Sequence, residues 1–238
     1  MFPLGTFDII LKFPMSTSGS TPIAAKRFRA RKRSAGRYHH GDLRRALIDA
    51  ALHLIERRGP DGLTLREAAR LVGVSHTAVY RHFADKTALL RAVAAEGVTG
   101  MRDAMQAAIA GIADPGEAFR QFGVAYVVYA VEHPAHFRVM YGAEVDSDEG
   151  PLAEAKAEKL GMLIAGVEAC QRAGVFPPGP PERLAVVAWS LVHGLATLWV
   201  DGVLQRTTLP ASDARGVAEM VTGSLLRVFE QGSYGRKV

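Results

Sequence analysis

The sequence lacks the residues from which a disulfide scaffold would be built. Only one of its 238 residues is a cysteine, so no disulfide can form within the chain, and we expect a reducing compartment such as the cytoplasm. This residue, Cys170, lies among apolar residues in a helical pattern, which predicts a small buried side chain rather than a reactive thiol. The glycine-rich, nucleophile and metal-binding motifs of common enzyme classes are also missing. An enzyme therefore has little support, and no cofactor is expected.

Acidic residues are missing from a long N-terminal stretch. No Asp or Glu occurs between Asp8 and Asp42, whereas the same stretch holds eight Lys and Arg residues. The net charge is +9 over residues 1–100 and −4 over residues 101–238, which gives +5 for the chain. A basic N-terminal part favours a polyanionic partner. Charge alone leaves three alternatives open: DNA phosphates, an anionic membrane surface, or a solvated tail without a partner.

Long hydrophobic runs are scarce. The apolar stretch 2–13 is interrupted by Asp8 and Lys12 and precedes the basic cluster, so it does not resemble an export signal. One longer uncharged run, 184–200, has 17 residues, which is the lower limit for a membrane span. It also contains polar residues such as His193. These features favour a helix that is buried within the protein or at a dimer seam.

An alternating strand pattern of useful length does not occur, and the helical period dominates from Asp42 onward. We therefore expect an all-α fold, in which an N-terminal three-helix domain with a helix-turn-helix is joined to a larger helical domain. The predicted parts are a disordered basic tail at 1–37, the three-helix domain at 38–85, and the larger helical domain at 86–238.

Helix start and stop signals indicate a helix-turn-helix over residues 64–83. Thr64 and Glu67 have the spacing of a capping box, in which a hydroxyl and a carboxylate three residues later satisfy backbone donors at a helix start. Gly73 ends this helix and supplies the tight turn before the next one. Further N-caps are expected at Asp42, Ser75 and Asp85.

The second helix of this motif has a buried face and an exposed one. Val79 and Phe83 are four residues apart, so they share the face that packs on the other helices. His76, near the helix N-terminus, is placed to reach a base edge. At 100° per residue, four positions lie on the flank of this buried face or on the far side of the helix, where they are available to a DNA groove. These positions are Thr77, Ala78, Tyr80 and Arg81.

Proline and glycine clusters divide the second half of the chain into longer helices. Such breakers occur at 114–116, 134 and 177–181, and an acidic loop occupies 142–151. The first expected helical segment runs from the breaker at 114–116 to residue 133. The others cover 151–173, 182–204 and 212–230.

The segment from Gly62 to Lys86 resembles the tetracycline-repressor family, also called TetR/AcrR regulators. The resemblance rests on GLTLREAARLVGVS followed by HTAVYRHFADK, in which the Gly-Val-Ser turn, the Tyr-Arg-His-Phe end and the following Lys stand at family spacing. It extends over about 50 residues, from Tyr38 to roughly Leu90. It implies a dimeric transcriptional regulator, usually a repressor that a small molecule releases from DNA. In such a regulator 38–85 would be the DNA-binding domain, and 86–238 would be the effector-binding and dimerisation domain.

The resemblance also implies roles for individual residues. Thr64, at a helix N-terminus, would contact a phosphate, and Arg66 would contact a base edge. Tyr80, His82 and Lys86 would position the helix on phosphates. The full predicted DNA-binding set is Thr64, Arg66, Ser75, His76, Thr77, Ala78, Tyr80, His82 and Lys86. Simple packing remains an alternative for Tyr80 and His82, and a solvated charge remains one for Arg66.

The stretch from Tyr38 to Leu43 also resembles the start of one TetR-like branch. The adjacent His39 and His40 suggest a metal, but no cysteine or third ligand lies at zinc spacing. We therefore expect no metal site here and favour helix entry or a contact with the DNA backbone.

Aromatic residues recur in the second half at spacings of three and four, which is typical of one helix face. Core packing accounts for part of them, and others could line an apolar effector cavity. The candidate pocket residues are Phe122, Tyr126, Tyr129, Phe137, Met140, Met162, Trp189 and His193. The segment from Trp189 to Gly194 resembles the Trp-x-x-x-His-Gly element of one TetR-like C-terminal domain. That resemblance implies a small-molecule effector and dimerisation through the last two long helices.

The expected partners are a palindromic double-stranded DNA operator, an unknown and largely apolar small-molecule effector, and a second copy of the chain. No membrane partner is expected. Two alternatives remain. One is an architectural DNA binder with weak sequence preference, and the other is a membrane-surface protein that uses the basic stretch.

The basic stretch could enter a minor groove beside the helix-turn-helix site. Deleting residues 1–36 should then weaken DNA binding and flatten its dependence on salt, because fewer phosphates are neutralised. Fluorescence anisotropy titrations of the full-length and shortened chains at two salt concentrations measure both quantities. Equal affinities with equal salt dependence would show that the stretch makes no DNA contact.

Overall fold

The computed structural model describes residues 40–142, 145, 150–207 and 213–230, all of which belong to the unit Tyr38–Val238. Within these ranges the chain forms helices and no strand, as the sequence predicts. The helices are α1 (His40–Arg58), α2 (Leu65–Val72), α3 (His76–Tyr80), α4 (Lys86–Ile109), α5 (Pro115–Glu132), α6 (Pro134–Met140), α7 (Pro151–Arg172), α8 (Pro181–Val200) and α9 (Ala214–Glu230). The predicted basic tail and most of the acidic loop lie outside the described residues.

Side-chain caps start the helices of the N-terminal part where the sequence predicts them. The Thr64 hydroxyl accepts a hydrogen bond from the backbone N–H of Glu67 at 3.1 Å. Ser75 accepts one from Ala78 at 3.3 Å, and Asp85 accepts one from Ala88 at 2.7 Å. The prediction for Asp42 is wrong. The first helix begins at His40, so Asp42 is its third residue rather than its N-cap.

The N-terminal helices share a core formed by small and branched side chains. Val79 of α3 and Leu47 of α1 are fully buried, and Ala69 of α2 and Phe83 are 3% exposed. A small residue at position 69 lets α2 approach its neighbours closely. The predicted buried pair of Val79 and Phe83 is confirmed, and it fixes which face of α3 remains exposed.

The second half is built around α5, which packs against α4, α8, α9 and α7. A separate apolar cluster joins α5, α7, α8 and α9 and includes Phe119, Phe176 and Phe229. Cys170 lies fully buried in it and donates its S–H to the Pro115 carbonyl at 3.2 Å. Burial raises the pKa of this thiol to about 12, and the expectation of a small buried side chain is confirmed.

The predicted breakers fall where the helices end, within a few residues. Pro134 ends α5 and starts α6, and the proline-rich loop 177–181 separates α7 from α8. α8 ends at Val200, four residues before the predicted end, because Asp201 and Gly202 form a turn in which Gly202 has φ +67°. A short 3-10 turn follows at Leu204–Arg206.

α8 is the one described helix that is long and apolar enough to span a membrane by length and composition alone. Of its most apolar 18-residue stretch, only 33% is buried within this chain. A large apolar face of α8 is therefore left exposed by the monomer.

The absence of a side chain at Gly97 allows α4 and α6 to pack closely. A Cβ there would lie 2.7 Å from Met140 Sδ and 2.9 Å from His136 Cβ. Gly97→Ala should therefore lower the free energy of unfolding by about 1–3 kcal/mol. At Gly161, inside α7, a Cβ would meet no atom within 4 Å. Gly161→Ala should instead raise the free energy of unfolding by about 0.5–1 kcal/mol, because alanine favours a helix interior.

Urea unfolding of both variants beside the unsubstituted chain measures these changes. A Gly97→Ala variant as stable as Gly161→Ala would contradict the close packing of α4 on α6.

Candidate DNA-binding surface and effector cavity

The turn between α2 and α3 depends on Gly73. This residue has φ +79°, in the left-handed region that only glycine adopts without strain. Its N–H and that of Val74 both donate to the carbonyl of Ala69, at 2.9 and 3.0 Å. These bonds close the end of α2 and aim the chain into α3, which sets the angle between the two helices.

The exposed side of α3 is short and carries mixed chemistry. His76, Thr77, Tyr80 and Arg81 are exposed, and Tyr80 retains 51% of its accessible surface. The rings of His76 and Tyr80 pack edge to face with centroids 4.8 Å apart. Imidazole, hydroxyl and guanidinium groups are therefore exposed together around α3, where a DNA groove could receive them.

The other predicted DNA contacts lie around this side. Thr64, Arg66 and Ser75 are exposed near the starts of α2 and α3. The remaining three predicted contacts are half-buried; they are Ala78, His82 and Lys86. Of these, Ala78 packs against the core. The structure thus brings the predicted set to the helix starts and to one face of α3, and Ala78 can offer DNA only part of its surface.

A salt bridge that the sequence analysis missed ties α1 to α2. Arg58 Nη1 lies 2.5 Å from Glu67 Oε1, and Glu67 also accepts a hydrogen bond from the Thr64 hydroxyl at 3.3 Å. The Arg58 hydrogen bond is the main cause that lowers the pKa of Glu67. The capping-box carboxylate is therefore ionised and engaged at the Thr64 end of α2.

A second missed cluster lies where α1, α4 and α6 meet. Arg45 on α1 binds Asp49 and also Glu96 of α4, whose Oε2 lies 2.7 Å from the guanidinium. The other Glu96 oxygen lies 3.5 Å from Nε2 of His136 on α6, a buried atom with no hydrogen-bond partner in the described part of the chain. Burial lowers the pKa of His136, so its imidazole is neutral near pH 7. Arg45 and Glu96 are 51 residues apart in the sequence, so they meet at this junction only after folding.

A cavity of about 520 Å³ opens between α5, α7, α8 and α9. This volume lies within the range of about 300–1,000 Å³ that is usual for small-molecule sites. Most of the lining is apolar or aromatic. The lining residues are Met105, Phe119, Phe122, Gly123, Tyr126, Tyr141, Gly142, Lys156, Lys159, Leu160, Leu163, Ala188, Trp189, Val192, Thr222 and Leu225.

Polar groups meet at one part of the cavity wall. Lys159 donates a hydrogen bond to the Tyr141 hydroxyl at 2.6 Å. The hydroxyls of Tyr141 and Tyr126 lie 2.8 Å apart, and the Tyr126 hydroxyl also lies 2.8 Å from Nδ1 of His193. The single proton of Tyr126 serves one of these neighbours, and its oxygen accepts from the other. A continuous chain of four polar groups therefore joins α7 to α8 through α5.

Two family models match most of the described chain. The model described as "Bacterial regulatory proteins, tetR family" matches residues 47–93, which hold α2, α3 and their caps. The model described as "Tetracyclin repressor-like, C-terminal domain" matches residues 119–223, which hold most of the cavity. This chain belongs to the TetR family. It is accordingly a DNA-binding transcriptional regulator with a helix-turn-helix, and the resemblance stated for residues 62–86 is confirmed.

Individual relatives agree with membership of the TetR family. The HTH-type transcriptional regulator BetI of Rhizobium meliloti is 28% identical over 196 residues, which cover 80% of this chain and 93% of BetI. A structure of a protein with unknown function from Rhodococcus sp. RHA1 is 33% identical, with a TM-score of 0.70, and covers 82% of this chain and 98% of that one. A bacterial regulatory protein of the tetR family from Rhodococcus RHA1 is 25% identical, with a TM-score of 0.65, over 79% of this chain and 96% of that one.

The structure places only part of the predicted pocket set at the cavity of this TetR-family regulator. Phe122, Tyr126 and Trp189 line it. Phe137 and His193 stand behind the lining and contact Tyr126, with ring centroids 6.3 Å away in both cases. Aromatic spacing predicted Phe122 and Tyr126 because both follow one face of α5.

Three predicted pocket residues lie outside the cavity lining. Met140 is fully buried against Gly97, and Tyr129 packs on His133 with ring centroids 4.3 Å apart. Met162 lies on α7, half-buried, and is not part of the lining. The helical period alone did not separate these neighbouring faces. The two lining lysines, Lys156 and Lys159, were missed because a lysine on a helix usually indicates a solvated surface.

Proposed function

We propose that this TetR-family regulator is a repressor that binds a palindromic operator as a homodimer and is released by a small molecule in the cavity. One observation carries the proposal: α4 joins the two sites within one continuous helix. It starts at Lys86, directly after the helix-turn-helix, and reaches the cavity wall through Met105. A ligand that changes the position of α4 would therefore move the helices that contact DNA.

The proposed DNA contacts divide by chemistry. His76, Thr77 and Arg66 are exposed and would contact base edges, which gives sequence preference. Tyr80 and Lys86 would contact phosphates, which positions α3 without reading sequence. We assign Thr64, Ser75, Ala78 and His82 supporting roles in the same surface. The protein would act in the cytoplasm, where the operator DNA lies, and no catalytic step is assigned to it.

The homodimer would form through α8 and α9. Val186 and Leu191 of α8 are 59% and 40% exposed, and Met220 and Val228 of α9 are 58% and 44% exposed. An exposed apolar groove runs between the two helices and includes Ser224 among mainly apolar residues. Contiguous apolar surface of this kind marks an interaction site. A second copy would cover it with an identical, self-complementary face.

The mechanism would be linkage between two binding equilibria. The two recognition helices of a dimer must lie about 34–36 Å apart to reach successive major grooves on one side of DNA. A ligand that prefers another spacing lowers the affinity for DNA by the difference between its affinities for the two states. Such coupling is typically about 1–3 kcal/mol.

The charge substitution Met220→Glu tests the proposed dimer and its operator together. It should yield monomers in sedimentation experiments, because a carboxylate would be buried at the apolar seam. A duplex selected from a random pool should be an inverted repeat, and the unsubstituted protein should prefer it about a thousandfold over a scrambled duplex in anisotropy titrations. Met220→Glu should lose most of this preference because each half-site is then bound separately.

Ala165→Glu is the matched control, since Ala165 is exposed on α7 and is not part of the groove between α8 and α9. This variant should remain dimeric and keep its operator affinity. Two results would contradict the proposal. One is a dimeric Met220→Glu variant with full affinity, and the other is equal binding of the unsubstituted protein to selected and scrambled duplexes, as expected of an architectural DNA binder.

A further inference from the structure

Lys159 places a fixed positive charge at a cavity with a mainly apolar wall. The side chain is half-buried, and its ammonium donates to the Tyr141 hydroxyl at 2.6 Å. The same nitrogen lies 4.8 Å from the ring centroid of Tyr141 and 5.8 Å from that of Tyr126. Two aromatic faces and a hydrogen bond together hold the ammonium against the wall. The charge is therefore positioned by the fold rather than free to extend into solvent.

This charge has no carboxylate partner among the described residues. The described part of the cavity lining contains Lys156 and Lys159 but neither Asp nor Glu. Burial raises the pKa of Tyr126, so this tyrosine is a neutral hydroxyl rather than a counter-ion. Burial, and secondarily the charge of Lys159, lower the pKa of His193, which leaves the imidazole neutral near pH 7. The polar chain of Lys159, Tyr141, Tyr126 and His193 therefore carries a net positive charge.

A ligand that fills the cavity must displace water from this ammonium. A neutral head group would leave the charge desolvated and unpaired, which is unfavourable. A carboxylate would pair with the ammonium through a charge-assisted hydrogen bond and could accept a second bond from the neighbouring hydroxyls. The Lys159 ammonium, with neutral hydroxyls beside it, matches a carboxylate head group. The rest of the wall, which includes Phe119, Leu163 and Leu225, matches an apolar body.

We propose that the effector of this regulator is an apolar carboxylic acid whose carboxylate binds Lys159 beside Tyr141. The inference rests on the proposed function, because it names the ligand class for the same cavity. It goes further by assigning the head group, its anchor and the reason that uncharged analogues bind more weakly.

Paired probes with one apolar body and two head groups test this proposal. Decanoate is compared with decan-1-ol, and 4-phenylbutyrate with 4-phenylbutan-1-ol, on the full-length dimer at pH 7.5 and without DNA. Trp189 lines the cavity, so tryptophan fluorescence follows binding, and calorimetry provides a second measurement. Each carboxylate should bind about tenfold to a hundredfold more tightly than its alcohol, as one charged hydrogen bond provides.

The variant Lys159→Met keeps an apolar stem and removes the charge. It should reduce the preference for acid over alcohol to within about threefold while leaving the affinity for the alcohols nearly unchanged. Arg172→Met is the matched control. Arg172 lies on the same helix, paired with Glu168 and outside the cavity lining, so its loss should leave the preference intact.

Several outcomes would overturn the proposal. They are alcohols that bind as tightly as acids, an acid preference that survives in Lys159→Met, and the failure of all four probes to bind. The operator is selected, and the affinity of the protein for it is measured, in the absence of the four probes. A protein that binds its operator but shows no acid preference would therefore refute the ligand class and leave the proposed function standing.

Discussion

The packing of α4 between the helix-turn-helix and the cavity is the constraint on which the rest of the structure depends. At its N-terminal end α4 is capped by Asp85 and packs against α1, and further along it packs against α5, α6 and α7. Gly97 brings α6 so close that a single methyl group would collide with it. In the proposed mechanism a helix held in this way moves as a unit, so a displacement at Met105 would reach the start of α4 instead of being absorbed locally.

Local sequence patterns predicted the parts of this architecture that depend on neighbouring residues. The caps at Thr64, Ser75 and Asp85 and the glycine turn at Gly73 are set by interactions within a few residues, so the sequence shows them directly. The buried face of α3 follows from the helical period at Val79. The predicted N-cap at Asp42 was wrong, because the helix starts two residues earlier, at His40, before the first good capping residue.

The features that sequence patterns could not predict are those that depend on distant residues. Arg45 and Glu96 are 51 residues apart, and Lys159 meets Tyr141 across the loop that separates α6 from α7. Periodicity placed Met140 on an aromatic face near the cavity, but its partner Gly97 draws it to the α4–α6 contact. Which of two adjacent helix faces lines a cavity is decided by the neighbouring helices, and a single sequence does not contain that information in readable form.

The central claim is that the contents of the cavity and the affinity for the operator are linked through α4. Filling the cavity with a side chain tests this claim without knowledge of the effector. Leu163→Trp enlarges a lining residue, whereas Ala165→Trp places the same side chain on the exposed surface of α7. Both variants should fold and dimerise. Leu163→Trp should change the operator dissociation constant by about 5- to 150-fold, the usual range of allosteric coupling, and Ala165→Trp should leave it unchanged. A folded, dimeric Leu163→Trp variant with the operator affinity of the unsubstituted protein would contradict the account.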